Sequence, residues 1–225
     1  MKKTDICANL IPYEQIPLFD GIKEEELNQL LYCMKGYNHS FSKGEIIILE
    51  QEKVQYIGIV LSGIVNMIKE DIWGKQTLLT YMNKGELFGE NFAVQKSSNS
   101  AVTFIASTKV EVLFLPASNI IHVCPKNCSF HARLTQNMFN LLGQKSVSLI
   151  NKIEICSKPT IREKILAYLS LIAQNQRSRY ITVPTNRSQM AEYLGVNRSA
   201  MTRELSKMQQ EGIIDFDKNT FTIKK

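Results

Sequence analysis

Apolar and polar residues change their spacing twice along this chain, which divides it into three stretches. Over the first ~35 residues the spacing is helical. "GIKEEELNQLLYCM" sets Ile22, Leu27, Leu30 and Leu31 on one stripe, fills its first turn with acidic residues, and has Asp20 ahead of it as a start signal. From about residue 41 to 115 the runs shorten and become β-rich: "EIIILE", "YIGIVLSG", "IVNMIK", "QTLLTYM", "AVTFIAS" and "VEVLFLP". Turn residues at Lys43-Gly44, Ser62-Gly63, Trp73-Gly74, Lys84-Gly85 and Gly89 separate them. Many short strands at regular spacing predict a compact antiparallel barrel or roll.

The helical period returns from about 129 to 156, in "SFHARLTQNMFNLLGQKSVSLINKIEIC". Met138, Leu142, Leu149 and Ile153 share one side, with Ser146 between them, and Leu134, Leu141 and Ile155 mark a second. A helix with two apolar stripes can pack on its own chain with one and on a twin helix with the other, so a dimerisation helix is expected. Burial wholly within one chain is the alternative. Gly143 weakens the helix by roughly 1 kcal/mol. "SKPT" at 157–160 interrupts the pattern, because Pro159 cannot continue a helix, and reads as a hinge. Thr160 with Glu163 forms a capping box for the next helix, "IREKILAYLSLIAQ", which ends before the basic loop "NQRSRY" and a short strand "YITVP".

"NRSQMAEYLGVNRSAMTRELSKMQQEGII" reads as two helices joined by a tight turn. Asn186 caps the first with Gln189 three residues on, Met190 and Leu194 face inward, and small Ala191 allows close approach. Gly195 suits a left-handed turn, Asn197 caps the second helix and Gly212 stops it. At 100° per residue, Arg198, Ser199, Thr202 and Arg203 span about 140°. Ala200, Met201, Leu205 and Met208 fill the opposite side. This is a helix-turn-helix pattern. "IIDFDKNTFTI" alternates around Lys218-Asn219 and predicts a β-hairpin wing. Glu204 falls near the inner edge, where an aliphatic residue is usual, and Lys207 or a basic residue on the preceding helix is its expected partner.

Charge sharpens this picture. Residues 1–156 carry 15 Lys+Arg and 15 Asp+Glu, whereas residues 157–225 carry 12 and 6, so the whole net charge of +6 sits in the last third. Such an excess suits a polyanion, nucleic acid being the commonest. Arginine can donate a bidentate pair to guanine, and the hydroxyls of Ser199 and Thr202 can meet bases or phosphates. Arg198, Ser199, Thr202 and Arg203 are therefore the candidate base contacts, and Thr185, Asn186 and Arg187 the candidate phosphate contacts.

Nothing in "MKKTDICANLIPYEQIPLF" resembles a signal peptide, and no apolar run approaches the roughly 18 residues of a membrane span, so a cytoplasmic protein without membrane contact is expected. Five cysteines, an odd number, argue against a disulfide framework.

Nearly the whole chain resembles the catabolite-activator/fumarate-nitrate-regulator (Crp/Fnr) family of bacterial transcription regulators. The resemblance rests on "IPLFDGIKEEELNQLL", "FSKGEIIILEQE", "IGIVLSGIVNM", "WGKQTLLTYMNKGELFGE" and "LGVNRSAMTRELSKMQQEGII", in that order and spacing. It implies an α+β fold: an N-terminal antiparallel β-roll of cyclic-nucleotide-binding type, a long dimerisation helix and a C-terminal winged helix-turn-helix. The expected boundaries are 1–128, 129–156 and 157–225. It also implies an effector-responsive homodimer that binds a pseudo-palindromic operator in double-stranded DNA, with RNA polymerase as a further partner. Arg198, Ser199, Thr202 and Arg203 match the family's base-reading positions. The second of these is often Glu in the family, so the half-site preference is not expected to carry over unchanged.

The family's effector pocket carries Phe-Gly-Glu and then Arg-Ser-Ala, whose arginine grips a cyclic phosphate. Here Phe88-Gly89-Glu90 matches, but the second element is Asn99-Ser100-Ala101, and without the arginine the charge-assisted bond is lost. This argues against cAMP or cGMP. Only Cys7 lies where the iron–sulfur branch has its cysteine cluster. "HVCPKNCSFH" places His122, Cys124, Cys128 and His131 within ten residues. Its readings are a metal site, a thiol redox switch or haem through Cys124-Pro125 or a nearby histidine, since some branches of the family sense haem or nitric oxide. The spacing fits no firm zinc pattern, and the other reading is ordinary packing of small thiols. For the cofactor, haem or none remain open. A Cys/His metal-dependent enzyme and a sensor acting through protein contacts stand as rivals, but no acid–base partner set supports catalysis.

Overall fold

In the computed structural model, residues 11–95, 99–121 and 128–224 are described. The chain divides into two compact units, and the division falls inside one long helix, between Leu141 and Leu142.

In the first unit, helix α1 (Glu24–Met34) precedes strands β1 (Tyr37–Phe41), β2 (Ile46–Ile48), β3 (Tyr56–Ser62), β4 (Val65–Glu70), β5 (Gln76–Met82) and β6 (Leu87–Phe88). A short helix α2 (Glu90–Ala93), strands β7 (Thr103–Ala106) and β8 (Val110–Pro116), helix α3 (Ala117–Ile121) and the start of α4 (Ser129–Ser157) follow. The strands form two antiparallel four-stranded sheets, ordered β1-β8-β3-β6 and β2-β7-β4-β5. This is the expected roll. Strands β3 and β8 have near-continuous apolar sequences because both of their faces are buried. Val60, Val112 and Phe114 face the cluster between the sheets. Ile57 and Ile59 pair with Leu115 and Leu113 on the other face. Gly58 is required here, since a Cβ would lie 2.3 Å from the Phe88 ring.

Three local expectations need correction. Helix α1 begins at Glu24 rather than just after Asp20: Pro17–Phe19 forms a tight 3-10 turn that Asp20 closes, and the Lys23 amide donates to the Glu26 carboxylate at 3.1 Å. Strands β1 and β6 add to the six runs expected. "YNHSF" is polar because β1 is an edge strand paired only with β8, and β6 is two residues long. On α4, the side shared by Met138, Leu142, Leu149 and Ile153 is not evenly covered: Met138 is 4% exposed, Leu149 58% and Ile153 68%, and Phe139, next to Met138, is 67% exposed. The Asn137 side chain donates to the carbonyls of Leu18 and Asp20 at 3.0 and 2.8 Å, and this fixes the rotation of α4 in the first unit.

The second unit holds the rest of α4, then α5 (Ile161–Gln176), β9 (Tyr180–Thr182), α6 (Arg187–Leu194), α7 (Arg198–Gln210), β10 (Ile214–Asp217) and β11 (Thr220–Ile223). Thr160 caps α5 as expected: the Glu163 amide donates to its hydroxyl at 3.2 Å and its own amide to the Glu163 carboxylate at 3.0 Å. Helix α5 runs two residues beyond its expected end, to Gln176, whose side-chain amide donates to and accepts from the Thr182 backbone at 2.8 and 3.0 Å. The wing sheet is ordered β10-β11-β9. Ile165, Leu169, Met190, Leu194, Leu205 and Phe221 lie in one buried cluster that joins helices and wing. On the α4 segment of this unit, Ile155 is buried, whereas Leu149, Ile150 and Ile153 are 58%, 61% and 68% exposed.

Candidate nucleic-acid interface

Local chemistry fixes the helix pair. The Asn186 side chain accepts from the amides of Ser188 and Gln189, both at 3.0 Å, and its own amide donates to Gln189 Oε1 at 3.0 Å. Gly195, at φ +64°, ends α6, and the Val196 amide closes onto Ala191 O at 3.0 Å. Asn197 Oδ1 then accepts from the Ser199 and Ala200 amides at 2.9 and 3.2 Å, which sets where α7 begins. Met201, Leu205 and Met208 are buried, which leaves Arg198, Ser199, Thr202 and Arg203 exposed together on the opposite sector. The Thr202 hydroxyl donates its proton to Arg198 O at 2.9 Å, so it presents acceptor lone pairs and a methyl group outward. That combination suits a base amino group or a thymine methyl better than a phosphate oxygen.

The residues expected on phosphate lie around the start of α6, and each has a structural partner. The Thr185 hydroxyl is 3.2 Å from that of Tyr168, and Asn186 caps the helix. Arg187 lies under the wing: its guanidinium carbon is 4.8 Å from the Phe216 ring centroid and 4.6 Å from that of Phe221, and Nη2 donates to Lys218 O at 2.7 Å. Burial pulls this guanidinium below its ordinary pKa. Lys218 itself, at φ +49° in the wing turn, is exposed. In the sequence this position reads only as a turn, although a basic residue at a hairpin tip beside a basic helix is a usable signal. Replacing Arg187 by lysine keeps the charge and loses the planar stack. It is expected to cost about 1–2 kcal/mol of unfolding free energy, because an ammonium retains part of the cation–π and hydrogen-bond energy but not the flat contact with both rings. Chemical unfolding of the full chain measures this, and a side chain held only for phosphate would tolerate lysine with no loss.

Glu204 pairs with neither Lys207 nor a residue of α6. Its partner is Arg162 on α5, whose Nε donates to Glu204 Oε1 at 2.5 Å while Nη1 and Nη2 donate to the Glu211 carboxylate at 2.7 and 3.0 Å. These hydrogen bonds hold the Glu211 carboxyl below its ordinary pKa and raise that of Arg162.

The residues expected in the effector pocket flank the cluster between the two sheets of the roll. Phe88 is buried there against Phe104 and Phe114, and Gly89, at φ +77°, turns the chain into α2, beginning at the buried Glu90. Asn99 is exposed in a bridge with Lys53. The buried Ser100 hydroxyl donates to Val102 O at 2.6 Å, and Ala101 O accepts from Lys69 Nζ at 2.8 Å. His122 and Cys124 lie outside the described residues. Cys128 is half-buried, and His131 is buried, which lowers its pKa. Among the described residues, no group of three His, Cys, Asp or Glu side chains is placed to hold a metal, and no helix is long and apolar enough to cross a membrane.

Two family models match the chain: a cyclic nucleotide-binding domain over residues 38–127 and a Crp-like helix-turn-helix domain over residues 163–225. The cyclic AMP receptor protein of Thermus thermophilus is 22% identical over 209 residues, covering 92% of each chain. The transcriptional activator protein FnrL of Cereibacter sphaeroides is 20% identical over 198 residues, 79% of this chain and 72% of that one. Among solved structures, CprK in complex with OCPA has the same fold at a TM-score of 0.65, with 17% identity over 90% of this chain and 92% of that one.

Proposed function

Because this chain belongs to the Crp/Fnr family of DNA-binding transcription regulators, we propose that it acts as a homodimer placing one α7 in each half of a pseudo-palindromic operator. The observation that carries this reading is the exposed quartet Arg198, Ser199, Thr202 and Arg203, fixed by the Asn197 cap and backed by buried Met201, Leu205 and Met208. A two-fold dimer would set its recognition helices one helical turn of DNA apart, about 34 Å. The exposed Leu149, Ile150 and Ile153 at i, i+1 and i+4 supply an apolar stripe for a second copy of α4. We assign residues 1–128 to sensing, 129–156 to dimerisation and 157–225 to DNA binding.

The relative from Thermus thermophilus is named for cyclic AMP. In this chain Asn99 stands where the pocket's arginine is expected, and a neutral amide forms no charge-assisted pair with a phosphate. The effector is therefore proposed to be something other than a cyclic nucleotide, and the protein to work by binding rather than catalysis.

The test is retention of a duplex from the protein's own promoter against a scrambled duplex, across a salt series. Specific retention is expected, with log K falling against log salt at a slope of about −0.9 per phosphate neutralised. Equal affinity for both duplexes would refute the reading.

A further inference from the structure

Arg162 is the second residue of α5, two residues past the Thr160 cap, and it reaches recognition helix α7 and the residue that ends it. Three of its five N–H groups are in use: Nε on Glu204, and Nη1 and Nη2 on the two oxygens of Glu211. The geometry uses the planar fork of arginine, and a lysine could not hold both carboxylates at once.

Glu204 follows Arg203 directly and is half-buried at the inner edge of α7, and Glu211 is exposed at the helix end. A recognition helix is an unfavourable place for two carboxylates, because the helix as a whole must approach a polyanion. Lys207 lies three residues after Glu204 and four before Glu211, the spacings at which helix side chains meet, and its charge already bears on Glu211. Without Arg162, Lys207 becomes the nearest helical partner for both, and two unpaired negative charges on the far side of the helix lower the positive potential that a polyanion meets.

We propose that Arg162 is a positioning residue for DNA recognition: by binding Glu204 and Glu211 together, it neutralises two carboxylates on the recognition helix, keeps positive the potential that phosphates meet, and holds both away from Lys207. The inference rests on the operator-binding reading above. Arg162 also stands at the start of α5, so the same side chain ties the hinge end of that helix to the recognition helix.

The test uses the full chain and the own-promoter duplex, with affinity read by fluorescence anisotropy at 50 and 150 mM salt. If the unaltered protein does not prefer its promoter, the operator reading has failed and this inference is not what was refuted. If it does, Arg162→Met is expected to bind about tenfold more weakly at low salt, with a smaller deficit at high salt because of screening. Arg162→Met combined with Glu204→Gln and Glu211→Gln is expected to return to within about threefold of the unaltered protein, since the offending charges are gone. A merely structural ion pair predicts the opposite, because the triple variant restores no contact. Glu204→Gln with Glu211→Gln, keeping Arg162, covers the case in which Arg162→Met fails to fold, and it is expected to bind at least as tightly as the unaltered protein. Unchanged binding by Arg162→Met, a triple variant as weak as Arg162→Met, or weaker binding by the Glu204→Gln/Glu211→Gln protein would each overturn the proposal.

Discussion

Arg203→Ala is expected to flatten the preference for an operator over a scrambled duplex while leaving the protein folded. A bidentate arginine–guanine contact contributes about 1–3 kcal/mol of discrimination per half-site. A two-fold operator doubles this, so the specificity ratio should fall by roughly 30-fold or more. Arg203 is exposed, and substitution at such a position changes stability by only about 0.5 kcal/mol in either direction. Competition binding with paired duplexes measures the ratio directly. Arg203→Lys should restore general affinity but not the ratio, because an ammonium cannot fork across O6 and N7 of one guanine. A ratio unchanged in both variants would place base reading elsewhere.

The second large effect concerns α4. Leu149→Asp combined with Ile153→Asp puts two carboxylates into the stripe proposed to meet a second copy, at positions 58% and 68% exposed within one chain. The single chain should tolerate the change, and the dimer should not, because a buried, unpaired carboxylate is strongly disfavoured at an interface. Sedimentation velocity is expected to show a monomer at micromolar concentration. Each monomer then reads one half-site with about half of the binding free energy, so affinities of a typical specific complex should weaken by at least about 10³-fold. A variant that remains dimeric would show that the stripe is covered by something else.

The parts of this fold that were legible in the sequence are those in which one residue type answers one geometric need. Asn186 with Gln189, Gly195, Asn197 and Thr160 with Glu163 each mark a helix end, and all four motifs stand where the spacing put them. The apolar periods of β3, β8 and α7 were readable because burial on a regular element imposes a regular pattern. What escaped depends on partners distant in sequence. Strand β1 reads as polar because it is an exposed edge strand paired with β8. The rotation of α4, which buries Met138 and exposes Phe139, is set by Asn137 bonding to carbonyls more than a hundred residues away. Arg187 reads as a phosphate contact and Glu204 as a partner of Lys207 or of the preceding helix, yet Arg187 lies against the wing aromatics and Glu204 against Arg162 of α5. A helical wheel says which side a charge is on, but not which element lies beside it.

Selection of binding sites from a pool of random duplexes tests the central claim most directly. A two-fold related pair of half-sites, centred about 10 base pairs apart or a multiple of that, with a guanine at the position that loses its enrichment in Arg203→Ala, is the predicted result. Recovery of no common sequence, or of a single asymmetric site indifferent to Arg203→Ala, would contradict it.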